Sequence, residues 1–153
     1  MTITVWLVLA ILLIAAIFIP RVGLIAIYKT YRATRERELV EDALKHLLDR
    51  EQHGRQASPE SLAGTLNLQR TRVMKLIEDM ETQGLLESRG ANLHLTTQGE
   101  RWALHVVRAH RLWERYLTDE ARMPLKRIHG ESERREHSLT EAQLNDLDAA
   151  LGH

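Results

Sequence analysis

The distribution of hydrophobic residues divides the chain into two parts. From Ile3 to Ile19 the only polar residue is Thr4, whereas charged residues are frequent in the rest of the chain. An apolar run of about 20 residues is long enough to span a bilayer as a helix. The pattern therefore predicts a transmembrane helix over residues 3–21, within an anchor that comprises residues 1–28.

The basic residues nearest this run all follow it: Arg21, Lys29, Arg32, Arg35 and Arg37. Because basic residues favour the cytoplasmic flank of a span, we predict a single-pass protein of the inner (cytoplasmic) membrane. Its N-terminus would lie outside and its C-terminal domain in the cytoplasm. A cleaved signal peptide is the weaker alternative, since no basic region precedes the run. A buried core helix is weaker still, because the run is apolar on all faces.

Three helices are predicted after a basic linker at residues 29–37. The first, over residues 37–50, has apolar residues at helical spacing. The second has Ser58 as its N-cap, followed by a proline, and ends near Asn67. The third follows at once, and Gly84 suits the position just beyond its end. The predicted inner face of the third helix consists of Val73, Leu76, Ile77 and Met80.

The second and third helices form a helix-turn-helix pattern, with polar side chains on the outer face of the second of the two. Arg and Gln suit base edges in the major groove, while Lys and Thr suit phosphates. A solvated helix face is the alternative, since every protein surface carries charged residues. The candidate DNA-binding residues on this helix are Gln69, Arg70, Thr71, Arg72 and Lys75.

A β-hairpin is predicted next. Two short strand candidates, residues 85–87 and 93–95, flank a turn that places Arg89 at the tip. Residues 97–100 then match a capping box that opens a long helix. This order of elements is that of a winged helix, which we place at residues 38–100, and Arg89 becomes a further candidate for DNA contact.

Residue types that ligate metals recur at helical spacing in residues 101–153. His110 and Glu114 are four residues apart and share a helix face. The next helix carries one stripe of four such residues: His129, Glu133, Glu136 and His137. The stripe could form a divalent-metal site, but the spacing alone favours a solvated charged face. The last helix, residues 140–151, has an apolar face that we expect to pack on a partner subunit.

The composition limits the chemistry of any metal site. The chain has 21 Lys and Arg against 21 Asp and Glu, and no Cys. A neutral total argues against indiscriminate coating of nucleic acid, while a local basic patch remains compatible with it. Without Cys, thiolate sites are excluded, and the ligands must be imidazole nitrogens and carboxylate oxygens.

Several stretches match a known family in residue type and in order: residues 41–42, 81–86, 95–99, 110–117 and 136–139, with His129 and Glu133. In these stretches residues 38–151 resemble the diphtheria-toxin-repressor-like family of iron- and manganese-dependent repressors. The resemblance implies a homodimer with two neighbouring metal clusters. The first cluster would comprise His110, Glu114 and His129. The second would comprise Asp42, Glu133, Glu136 and His137.

The resemblance also implies how metal would act on DNA binding. Asp42 belongs to the first helix of the DNA-binding domain, so bound metal would tie that helix to the dimerisation helices. Glu133 stands where iron-responsive relatives often have Cys and manganese-responsive relatives have a carboxylate. The resemblance therefore favours Mn(II), with Fe(II) next. Lys45 departs from the family, because manganese-responsive members have a carboxylate there.

These observations combine into one hypothesis: a mainly α protein in which a single transmembrane helix precedes a winged-helix domain and a helical metal-binding and dimerisation segment. It would be a membrane-tethered, metal-dependent regulator that binds double-stranded DNA. The alternative is a membrane-anchored metal-sensing module that acts beside a metal transporter without binding DNA. We do not expect an enzyme, because no nucleophile motif or phosphate-binding loop accompanies the candidate ligands.

Overall fold

A computed structural model describes residues 24–152 and Trp6. The chain separates into two units, residues 1–38 and residues 39–153. Apart from Trp6, the predicted span over residues 3–21 lies outside the described residues.

The predicted membrane localisation needs correction. Among the described residues, no helix combines the length and the apolar character that crossing a membrane requires. The helix Leu24–Gln52 has the length, but charged side chains recur along it from Lys29 onward. Burying these charges in hydrocarbon would be costly. This finding overturns the prediction of a single-pass inner-membrane protein with its N-terminus outside.

The described part of the chain is mainly helical, with one short hairpin, as predicted. Its elements in chain order are α1 (Leu24–Gln52), α2 (Pro59–Leu66), α3 (Arg70–Thr82), β1 (Leu86–Arg89), β2 (Asn92–Leu95), α4 (Thr97–Asp119), α5 (Leu125–Glu136) and α6 (Glu141–Ala150).

The described part of the first unit is the beginning of α1. Residues 29–37, predicted as a basic linker, are helical. An exposed ion pair joins Arg35 to Glu38 at 3.1 Å, and the Thr30 hydroxyl donates a hydrogen bond to the carbonyl of Ala26. Exposed pairs one turn apart contribute only a few tenths of a kcal/mol, so this segment gains little stability from them.

The helix-turn-helix forms where the sequence predicts it. The Ser58 side chain accepts a hydrogen bond from the backbone N–H of Ser61, and the Ser61 side chain accepts one from the backbone N–H of Ser58, which completes a capping box at the start of α2. Asn67 ends α2 in the left-handed conformation, with φ of 51°. The core of this domain is formed by buried residues of α1, α2, α3, the hairpin and α4: Val40, Ala43, Leu44, Leu47, Leu48, Ala57, Leu62, Val73, Leu76, Ile77, Met80, Leu85, Leu86, Leu93 and Ala103.

The hairpin begins one residue later than predicted. The N–H of Leu85 donates to the carbonyl of Met80, so Leu85 still belongs to the C-terminal turn of α3. The strands are antiparallel, with Leu86 opposite Leu95 and Arg89 opposite Asn92. The wing therefore has Arg89 next to its turn, as expected.

The cap of α4 also differs from the prediction. Thr96, not Thr97, is the N-cap, and its hydroxyl oxygen accepts a hydrogen bond from the N–H of Gly99 at 3.1 Å. The same hydroxyl donates to the carbonyl of Gly84 at 2.6 Å. Thr96 therefore connects the end of α3 to the beginning of α4, a contact that the local pattern at residues 97–100 does not reveal.

The apolar face of α6 packs inside the chain. Leu144 and Leu151 are buried against Ala109 and Leu112 of α4. The expectation that this face packs on a partner subunit is corrected accordingly, because α4 covers it within the same chain.

A close backbone approach at Gly99 yields the first prediction. A Cβ atom there would lie 1.9 Å from the carbonyl oxygen of Leu85. We expect Gly99→Ala to lower the free energy of unfolding by about 1–3 kcal/mol, the usual cost of overpacking. Urea denaturation measures this change.

Gly64 in α2 provides the matched control, since a Cβ there would meet no atom within 4 Å. We expect Gly64→Ala to be neutral or stabilising by up to about 1 kcal/mol, because alanine favours the helix. Equal effects of the two substitutions would contradict the packing argument.

Candidate metal centre and nucleic-acid interface

Two helix faces meet to form the first candidate metal cluster. His110 and Glu114 lie one turn apart on α4, and His129 comes from α5. A ligand atom from each of these three residues lies within 4.8 Å of the other two. His110 Nε2 is 3.1 Å from Glu114 Oε1, and His129 Nδ1 is 3.3 Å from the same oxygen. The structure thus brings together the whole of the first predicted cluster.

The first cluster opens toward solvent on the α5 side. The His129 side chain is 70% exposed, and His110 is only 14% exposed. Glu133, which the resemblance assigned to the second cluster, lies here instead, with Oε1 3.4 Å from His129 Nε2. It adds a carboxylate at the exposed edge. Two imidazoles and two carboxylates suit a borderline or hard divalent cation, so the residues present fit such an ion.

The second candidate cluster joins α1 to the end of α5. Ligand atoms of Asp42, Glu136 and His137 lie within 4.8 Å of one another. His137 Nε2 is 3.7 Å from Asp42 Oδ1 and 3.6 Å from Glu136 Oε1. It is less exposed than the first cluster, since the Glu136 carboxylate is fully buried and His137 is 13% exposed, while Asp42 is 42% exposed. Of the four residues predicted for this cluster, the structure brings these three together.

Glu136 connects the two clusters. Its Oε2 lies 2.5 Å from His110 Nδ1, and its Oε1 lies 2.5 Å from Lys45 Nζ. His110 is therefore held by a carboxylate on its Nδ1 side, and its Nε2 faces Glu114. A carboxylate that binds the second nitrogen of a ligating histidine orients the ring and raises its basicity.

Glu41 holds His137 in the same way. The Glu41 carboxylate is buried on α1, and its Oε2 lies 2.5 Å from His137 Nδ1. Its Oε1 accepts a hydrogen bond from the indole N–H of Trp102 on α4 at 3.1 Å. Glu41 therefore links α1 to α4 and to the end of α5 at once.

These contacts shift the pKa values of the histidines upward. The hydrogen bond to Glu136 raises the pKa of His110, although burial lowers it. Burial also lowers the pKa of His137, but Glu41 and the charges of Asp42 and Glu136 outweigh it, so that pKa is raised as well. A divalent cation must displace a proton from a protonated histidine before it can bind. Metal affinity should therefore fall as the pH drops through these raised values.

The carboxylates shift in opposite directions. Burial raises the pKa of Asp42 above its usual value, although the positive charges of His137 and Lys45 oppose this. Burial also acts to raise the pKa of Glu136, but hydrogen bonds from His110 and Lys45 outweigh it and keep that pKa below its usual value. Glu136 is thus ionised and already compensated by positive neighbours.

The candidate nucleic-acid interface lies on the outer face of α3. Val73, Leu76, Ile77 and Met80 turn inward, as predicted. Gln69, Arg70, Thr71 and Lys75 are exposed, Arg72 is partly exposed, and Arg89 is exposed on the wing. Arg70 Nη1 lies 3.8 Å from Glu60 Oε1, and Arg89 pairs with Glu87. The candidates on α3 lie in its first two turns, the part of a recognition helix that contacts base edges.

Comparison with known proteins agrees with this arrangement. The family model for the iron dependent repressor, metal binding and dimerisation domain matches residues 96–153. The iron-dependent repressor IdeR of Mycobacterium leprae is 35% identical over 99 residues, which are 64% of this chain and 43% of that protein. The diphtheria toxin repressor of Corynebacterium glutamicum is 36% identical over 70 residues, 45% of this chain and 31% of that protein.

Solved structures extend the likeness to the fold. A manganese-dependent transcriptional repressor in complex with manganese has 31% sequence identity and a TM-score of 0.64, over 74% of this chain and 52% of that chain. The manganese regulator SloR has 25% sequence identity and a TM-score of 0.64, over 73% of this chain and 53% of that chain.

Residues 96–153 belong to the family of iron dependent repressor, metal binding and dimerisation domains, and the chain as a whole resembles diphtheria-toxin-repressor-like proteins. It spans about half the length of these solved relatives and 43% of the mycobacterial repressor. The curated relatives carry the names of repressors, which confirms the prediction that this family member is not an enzyme.

Sequence reasoning missed the roles of Glu41 and Trp102 in this family member. A signal for Glu41 was available, because it lies three residues before Leu44 and seven before Leu48, on the apolar face of α1. A carboxylate on an inward face requires a buried partner. The identity of that partner was not available, since Trp102 is far away in sequence.

The buried contact between Trp102 and Glu41 gives the second prediction. We expect Trp102→Phe to destabilise the protein by about 1–3 kcal/mol more than Trp113→Phe does, because the buried carboxylate of Glu41 loses a hydrogen-bond donor. Trp113→Phe is the matched control, since the indole N–H of Trp113 is buried with no hydrogen-bond partner among the described residues.

Thermal and urea unfolding of the two variants measure the difference directly. Both substitutions remove the same atoms, so their difference reports the hydrogen bond together with the contacts of the Trp113 ring with Arg135 and Tyr116. Equal losses of stability would mean that the Glu41 carboxylate does not depend on Trp102.

The contact between Glu136 and His110 gives the third prediction. We expect Glu136→Gln to weaken Mn(II) binding by about 10–100-fold, the usual effect of removing a carboxylate behind a histidine ligand. Asp49→Asn is the control, because Asp49 is an exposed carboxylate on α1 and should leave the affinity unchanged. Calorimetric titration measures both, and an unaltered affinity in Glu136→Gln would refute the orienting role.

Proposed function

We propose that the chain is a metal-dependent transcriptional regulator that binds double-stranded DNA as a homodimer. The observation that carries the proposal is the link between the metal ligands and the DNA-binding domain. His110 of α4 contacts Glu136 of α5, and Glu136 contacts Lys45 of α1. The helix that carries Lys45, α1, also contributes buried residues to the core against which α3 packs.

The metal is proposed to bind in the first cluster. His110, Glu114 and His129 would be its ligands, and Glu133 adds a carboxylate at the open edge. Bound metal would act as a fixed positive charge that draws α4 and α5 together. Asp42, Glu136 and His137 form the second candidate cluster. Lys45 already brings a positive charge to it.

Mn(II) is the proposed ion, with Fe(II) next. The ligands are nitrogen and oxygen atoms only, and Glu133 offers a carboxylate where a thiolate would favour softer metals. The curated relatives support iron and the solved structures support manganese. The curated relatives include an iron-dependent repressor, and a solved relative is a manganese-dependent repressor.

Metal would favour DNA binding through its difference in affinity for two arrangements of the helices. His110 would be a ligand of the metal, and its Nδ1 side faces Glu136, which in turn contacts Lys45 of α1. By reciprocity, DNA must raise the metal affinity by the same factor that metal raises the DNA affinity.

The test is a titration of the full chain with Mn(II) in the presence of labelled DNA from upstream of its own coding region. Fluorescence anisotropy reports DNA binding, and a chelator provides the reversal. Binding that appears with Mn(II) and disappears with the chelator supports the proposal. Metal binding without DNA binding would favour the alternative of a sensing module that contacts protein.

Substitutions on the recognition helix give the fourth prediction. We expect Arg70→Ala to weaken DNA binding by about 1–3 kcal/mol if it contacts a base. Lys75→Ala should weaken binding to all sequences and reduce the salt dependence by about one phosphate contact. Neither change should alter Mn(II) affinity, because neither residue lies in a metal cluster.

Arg101→Ala is the charge-matched control, since Arg101 is exposed on α4. It should retain DNA binding. If Arg70→Ala and Lys75→Ala bind DNA as well as the control does, α3 is not the recognition helix.

A further inference from the structure

Lys45 enters the second cluster from the α1 side. It lies three residues after Asp42 and four after Glu41, so all three share one face of the helix. Its Nζ is 2.5 Å from Glu136 Oε1, and the Lys45 side chain is 25% exposed. A lysine side chain carries a positive charge at neutral pH. The cluster therefore contains a cation that is covalently part of the chain.

The oxygen that Lys45 contacts is the one a second metal would need. Glu136 Oε1 faces His137 Nε2 at 3.6 Å, and these two atoms with Asp42 make up the second cluster. The other oxygen of Glu136 is engaged by His110 at 2.5 Å. Both oxygens of the carboxylate thus have a close partner before any ion arrives.

Electrostatics opposes a divalent cation at this position. An ion bound to Glu136 Oε1 would lie beside the Lys45 ammonium, and like charges repel more strongly next to a buried carboxylate than in bulk water. The buried Glu136 carboxylate needs a compensating charge, and Lys45 supplies it at all metal concentrations. A metal would have to displace the ammonium and lose this ion pair.

The first cluster lacks this competition at its open edge. Glu114 pairs with His110 and His129, and Glu133 pairs with His129. Imidazole nitrogens are themselves metal ligands, whereas the ammonium group of Lys45 offers no lone pair to an ion. The two clusters therefore differ in the positive group that faces their carboxylates: histidines in the first, and a lysine in the second.

We infer that the Lys45 ammonium takes the place of a divalent cation in the second cluster, so that each chain binds one metal ion, in the first cluster. This inference rests on the proposed function, because it presupposes a metal bound by His110, Glu114 and His129. In the native chain Lys45 then occupies this cluster through its contact with Glu136. They become ligands only when the ammonium is removed.

The ion pair between Lys45 and Glu136 affects how the chain would respond to metal. Lys45 belongs to α1 and Glu136 to α5, so their ion pair connects the DNA-binding domain to the metal-binding segment without metal. A single ion, held by the first cluster, would then act on α1 only through His110 and Glu136. Response to metal should follow a binding curve for one site per chain.

The experiment counts Mn(II) bound per chain by isothermal titration calorimetry of the full chain with MnCl₂, checked by elemental analysis after desalting. The native chain should bind one ion. Lys45→Glu removes the ammonium and adds a carboxylate, so it should bind two. Lys45→Arg keeps the charge and should bind one. Lys29→Met loses a lysine charge in the other unit and should also bind one.

A second pair of variants locates the ion. Glu114→Ala combined with His129→Ala removes two ligands of the first cluster and should abolish Mn(II) binding in the native background. The same pair in the Lys45→Glu background should retain one ion. Circular dichroism melting verifies that each variant is folded, and a variant that is unfolded is replaced by Glu114→Gln with His129→Gln.

Each result has a defined meaning. Two ions in the native chain, or one ion in Lys45→Glu, would overturn the inference and leave the proposed function intact. One ion that survives loss of Glu114 and His129 would also overturn it, because the ion would then lie in the second cluster. No ion in the native chain would contradict the proposed function itself.

Discussion

A buried carboxylate must receive hydrogen bonds or positive charge, and Glu136 imposes that requirement on three helices. It lies on α5 with its side chain fully buried, and its two oxygens are held by His110 of α4 and Lys45 of α1. Removing one partner of such a buried pair typically costs about 3–5 kcal/mol. The positions of α1, α4 and α5 around the candidate ligands are therefore coupled through one side chain.

Glu41 is a second buried carboxylate with the same requirement, but it lies on α1 and its partners come from α4 and the end of α5. These partners are Trp102 and His137. Each of α1 and α5 thus contributes one buried carboxylate and one partner for the other's carboxylate. The second cluster thus connects α1 of the winged-helix domain to α4 and α5 through two buried carboxylates, whereas the first cluster is open to solvent at His129.

Much of the fold could be predicted because it depends on local pattern. The spacing of Val73, Leu76, Ile77 and Met80 predicted the buried face of α3, and Ser58 predicted the start of α2. Helical spacing also predicted which ligand-type residues share a face in α4 and α5. Boundaries were less predictable, since the cap of α4 depends on a hydrogen bond from Thr96 to the distant Gly84. The long apolar run was interpreted as a membrane anchor, and nothing in the described residues supports that localisation.

The sequence by itself determined the helical faces, the helix-turn-helix and the nitrogen and oxygen character of the ligands, because each follows from residue type and short-range spacing. The tertiary structure decided how these faces are paired. It placed Glu133 beside His129, joined Glu41 to Trp102 and His137, and put Lys45 against Glu136. Lys45 and Glu136 are 91 residues apart. Only packing of α1 against the metal-binding segment could show that a lysine, at a position read from sequence as a lost ligand, lies where a second cation would bind.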